Sequence, residues 1–86
     1  LDAAGMLATA DAPQEGAYGT WMDSLRAAAL QTDTQKRVQQ VTALQKIAVE
    51  RFPEGFLDSL VSVKGHQMTH RTLITNCAAG MYLGDS

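Results

Sequence analysis

The chain has 86 residues, 7 basic against 9 acidic, and a formal net charge of −2. That length makes one small domain, and the charge favours neither nucleic acid nor an anionic lipid surface. A single cysteine excludes an internal disulfide framework and any zinc ribbon or finger, and leaves one thiol that is buried, reactive or bridged to another chain.

Leu, Ile, Val and Phe together number only 18, whereas Ala alone contributes 13 and buries little area. A core built from these residues is thin, so association with a partner would help to stabilise it. No apolar run reaches membrane-spanning length. The start at Leu1 fits a processed product or a fragment, and loss of an export signal is one route to it, which gives a lean toward a periplasmic or extracellular protein.

Residues 1–19 read as an N-terminal arm with three Gly, one Pro and no sustained period. Its acids, Asp2, Asp11 and Glu15, precede a mildly basic body that carries Lys36, Arg37, Lys46, Arg51, Lys64 and Arg71. Residues 20–86 form the domain. Thr20 and Asp23 make an acidic capping box, which predicts a helix over 21–30 with Trp21, Leu25 and Ala28 on one face.

Thr32 or Asp33 then caps a helix over 34–52, ended by Pro53. At 100° per residue Val38, Val41, Ala48, Val49 and Phe52 cluster in one arc, with Leu44 at its edge. Ile47 falls among the charged residues next to Ala43, which marks these two as a second contact surface. Phe56, Leu57, Leu60 and Val61 predict a helix over 54–63, although Val61 and Val63 alternating with Ser62 also fit a strand. Gly65 breaks the pattern, and a last helix is expected over 66–83, stopped by Gly84.

On that last helix His66, His70, Leu73, Cys77 and Met81 would share one band. The spacings suit a packing seam. His66 and His70, one turn apart, could also share a transition metal, but Cys77 lies too far along the axis to join them. The same separation keeps His70 from activating Cys77 as a nucleophile. Gly-rich nucleotide loops, HExxH and GxSxG are all missing from the sequence, and its acids are scattered singly.

Two triplets, Asp23-Ser24-Leu25 and Asp58-Ser59-Leu60, resemble the tripeptide that carries the pantetheine arm in acyl carrier proteins. Those proteins are strongly acidic after that serine, whereas Arg26 and Lys64 follow here, so no role is carried over. Lys36, Arg37 and Arg51 share part of a face, but Glu50 interrupts them and no aromatic accompanies them, which speaks against nucleic acid.

The expectation is therefore an all-α fold, a small bundle of three or four antiparallel helices preceded by an arm. The expected function is a non-catalytic, protein-binding subunit or accessory component of a larger assembly, with no cofactor. Partner or self contacts are expected at Met6, Leu7, Tyr18, Ala43 and Ile47. The rival is a small metal-binding protein using His66 and His70.

Overall fold

A computed structural model of the chain describes residues 15–82. Met6 and Leu7 lie outside the described residues. Three helices and one hairpin follow in order: α1 (Glu15–Ala29), α2 (Thr34–Arg51), a short 3-10 turn (Phe56–Asp58), β1 (Leu60–Val63), β2 (His66–Thr69) and α3 (His70–Ala78). The fold is mostly helical, but the two-stranded antiparallel sheet means that it is not a pure helix bundle.

The first helix begins five residues earlier than the capping box at Thr20 suggests. Gly16 and Gly19 look like breakers, since each costs about 1 kcal/mol in a helix interior. Tertiary packing overrides them. Tyr18 and Trp21 lie on one face of α1 with their rings stacked at 6.2 Å, and Trp21 is fully buried. The indole N–H donates to the Leu44 carbonyl at 2.8 Å, which fixes how α1 lies on α2.

That docking also sets the phase of α2. Asp33 caps the helix as expected, its carboxylate accepting from the Lys36 N–H at 3.0 Å. The buried arc, however, is Val41, Leu44, Ile47, Ala48 and Phe52, while Val38 and Val49 stand 43% and 64% exposed. The larger Leu44 and Ile47 side chains win the interior over two valines. Ile47 is 0% exposed, which corrects the reading of Ala43 and Ile47 as an outer patch.

Between Gly55 and Thr69 the expected helices give way to a turn and a hairpin. Lys64 (φ 51°) and Gly65 (φ 82°) both adopt left-handed backbone, as the two central residues of a type I′ turn require. The strands flank it in the register Val63↔His66, Ser62↔Gln67, Val61↔Met68 and Leu60↔Thr69. Val63 packs into the core and Val61 is half-buried, whereas Leu60, expected inside, is 61% exposed because it faces the other way.

Thr69, which the seam reading put inside a helix, ends β2 and caps α3 by accepting from the Thr72 N–H at 3.2 Å. The helix is correspondingly short. It stops at Ala78, with Gly80 in left-handed backbone (φ 74°) and the Met81 N–H bonded to the Asn76 carbonyl at 2.8 Å. Arg37 clasps this end, donating from Nε to the Ala78 carbonyl at 2.9 Å and from Nη1 to the Gln31 carbonyl at 3.1 Å. One side chain thus ties the C-terminal ends of α1 and α3 to the first turns of α2.

Ser24, the serine of the first Asp-Ser-Leu triplet, is 3% exposed, and among the described residues its hydroxyl has no hydrogen-bond partner. Ser24→Ala removes a hydroxyl that burial penalises and adds helix propensity. It is expected to stabilise the chain by about 1 kcal/mol, read as a rise in melting temperature.

Candidate functional site

The chemistry-bearing side chains gather around His70. Its position follows from three local choices: the I′ turn aligns β2 with β1, Thr69 starts α3, and His70 as the first residue of that helix faces inward. It is 4% exposed. Its ring lies 4.3 Å from that of Phe56 and 6.2 Å from that of Trp21, centroid to centroid, with Phe52 completing the aromatic box around Phe56 at 4.7 Å.

The hydrogen bonds determine which ring nitrogen carries the proton. Nδ1 lies 3.0 Å from the Ser59 carbonyl oxygen, which can only accept, so Nδ1 is the protonated nitrogen. The lone pair on Nε2 therefore accepts from the Tyr18 hydroxyl at 2.9 Å. Ser59 Oγ, also 3.0 Å from Nδ1, accepts from it and donates its own proton to the Phe56 carbonyl. Every polar atom of this cluster is satisfied internally.

This arrangement has consequences for both chemistries raised by the sequence. As a general base toward Ser59, His70 would need a lone pair on Nδ1, and that nitrogen holds a proton instead. As a metal ligand it would need a nitrogen lone pair, and the only one is taken by Tyr18. His66 is exposed at the turn end of β2, about 13 Å of strand away from His70, and not one helical turn away on a shared face. Cys77 is buried in the core, Met81 is 64% exposed, and among the described residues no three His, Cys, Asp or Glu side chains converge. The structure thus separates the seam read from the sequence into three environments.

Burial holds the His70 imidazole below its ordinary pKa, with the Ser59 hydrogen bond opposing the shift. Burial likewise pushes the Tyr18 phenol up. In the unfolded chain the imidazole takes its proton near the ordinary value of about 6.5, before the folded state does. Stability contributed by neutral His70 is therefore complete above that pH and declines as pH falls below it. The melting temperature of the wild-type chain is expected to drop between neutral pH and pH values below that of free histidine more than it does in His70→Asn. Parallel curves for the two proteins would remove His70 as the cause.

Tyr18, expected at the surface of an arm, is half-buried in this box, and Ala43 is half-buried beside it in the core layer. An open groove of about 280 Å³ runs past the other side of Phe56, lined by Val49, Pro53, Leu57 and Arg71 among others. Arg71 Nε lies 3.4 Å from Asp58 Oδ1 at its rim, an exposed pair of small energetic weight.

The hairpin supplies a different kind of site. In a two-residue hairpin the pair next to the turn exchanges both backbone bonds, and the pairs alternate from there. Val63↔His66 and Val61↔Met68 are then bonded pairs, and the His70 N–H to Ser59 carbonyl bond at 3.0 Å continues the alternation. The N–H and C=O groups of Leu60 and Ser62 accordingly point away from β2. Among the described residues nothing pairs with them, and the sheet has no third strand. Sequence reasoning missed this edge because the strand at 60–63 was the less favoured of two readings.

Compared with protein-family models, with curated proteins and with solved structures, the chain matches none.

Proposed function

We propose that this chain is a non-catalytic, protein-binding subunit or accessory component of a larger assembly, and that it binds through the outer edge of β1. The observation that carries this reading is the outward row of backbone donors and acceptors at Leu60 and Ser62, beside an exposed Leu60 side chain. Unpaired strand edges recruit strands from other chains, and proteins that avoid this place charges, proline or a bulge on the edge. The stretch Leu60-Val61-Ser62-Val63 carries none of these. The inward commitment of His70, Tyr18 and Ser59 supports a structural role for the aromatic box.

The test is affinity capture on the immobilised full chain, read against Ser62→Pro. The Ser62 N–H faces outward, so proline there removes an edge donor and leaves the β1–β2 bonds in place. A defined protein retained by the wild type and lost from a Ser62→Pro chain of unchanged circular dichroism is the expected result. Equal retention by both chains would remove the edge from the binding surface.

A further inference from the structure

We infer that the strand which pairs with the β1 edge is β1 of a second copy of this chain, in antiparallel register about Val61. The inference rests on the protein-binding reading and names its partner. Three observations select this occupant.

The first is the register itself. Outward groups fall at Leu60 and Ser62, one on each side of Val61. A two-fold axis through Val61 therefore sets Leu60 opposite Ser62 of the second copy and Ser62 opposite Leu60 of the second copy. Each such pair exchanges both backbone bonds, so the edge satisfies itself with no offset. The result is one continuous sheet in the order β2, β1, then β1 and β2 of the second copy.

The second is side-chain complementarity. Val61 and Val63 share the inward face of the hairpin, yet Val63 is buried and Val61 only half-buried. Self-pairing places Val61 against its own counterpart at the closely spaced, non-hydrogen-bonded position on the axis, where β-branched side chains pack well. On the opposite face it lays the exposed Leu60 beside Ser62 of the second copy.

The third is charge. Asp58 and Lys64 lie three residues before and three after Val61, and both are exposed. Antiparallel self-pairing brings Asp58 of one copy toward Lys64 of the other, at both ends of the interface. Parallel pairing in the same alignment would set like charges side by side, which disfavours it. The α2 surface offers no comparable match: its exposed stripe of Val38, Thr42 and Val49 is flanked by Lys36 and Lys46.

Sedimentation velocity of the purified full chain, over a wide concentration range reaching millimolar, tests the inference. The wild type is expected to pass from monomer to dimer, and Ser62→Pro to raise the dissociation constant about tenfold or more. Lys64→Glu should weaken association by setting two acids together, and adding Asp58→Lys should restore it. That charge exchange decides the matter if Ser62→Pro does not fold, and a double variant no tighter than Lys64→Glu alone would overturn the register. A wild-type chain that stays monomeric throughout overturns self-pairing, while a foreign protein captured through the same edge would leave the protein-binding reading standing. Dimers undiminished by Ser62→Pro place the interface elsewhere and overturn the inference.

Discussion

Trp21→Ala is expected to bring the chain to the brink of unfolding. The side chain is fully buried, touches the aromatic box, and donates to the Leu44 carbonyl that sets α1 on α2. Truncating a buried tryptophan costs about 3–5 kcal/mol, and loss of the indole bond adds about 1 kcal/mol. A chain of 86 residues holds roughly 4–13 kcal/mol in all, and the thin core here points to the lower half of that range. Urea titration followed by circular dichroism would show a midpoint moved to very low denaturant. Trp21→Phe, which keeps a ring and loses the N–H, should fall between the two. A midpoint unchanged in Trp21→Ala would mean that α1 is not docked on α2 as described.

Ile47→Lys separates the two accounts of α2. If Ile47 were at the surface among Lys46 and Glu50, lysine would be tolerated within about 0.5 kcal/mol. Because Ile47 is fully buried, the substitution places an unpaired ammonium in the core and should cost more than about 4 kcal/mol, enough to abolish the cooperative melting transition. Val49→Lys, two positions on and 64% exposed, is the matched control and should leave the melting temperature nearly unchanged. The opposite pattern would restore the arc read from periodicity alone.

That contrast shows where the sequence was legible. Asp33, the helix over 34–51 and the stop at Pro53 are local signals, and each acts as read, because capping and proline chemistry need no tertiary context. Trp21, Leu25, Val41, Phe52, Leu73 and Cys77 are all in the core. The phase of α2 was not legible: both its faces carry apolar residues, and only the docked indole selects between them. The hairpin was half legible. Val61 and Val63 alternate, but Gly65 was read as a helix break, and a Lys-Gly pair signals a I′ turn less strongly than Asn-Gly. Missing that turn merged β2 with α3 and put His66 and His70 on one imagined face. For the site, His70 was singled out for the wrong chemistry. Its partners Tyr18 and Ser59, 52 and 11 residues away, leave no spacing signature.

The aromatic box also imposes an order on folding. Hairpin closure across two residues and growth of α2 are local events that run in about microseconds or less. The box requires Tyr18 and Trp21 to meet Phe52, Phe56 and His70, so α1 must return across most of the chain before any ring contact repays the entropy lost in closing that loop. Capture of α1 by the rings is therefore the slow event. Weakened rings retard folding itself, whereas changes confined to the hairpin turn mainly hasten unfolding.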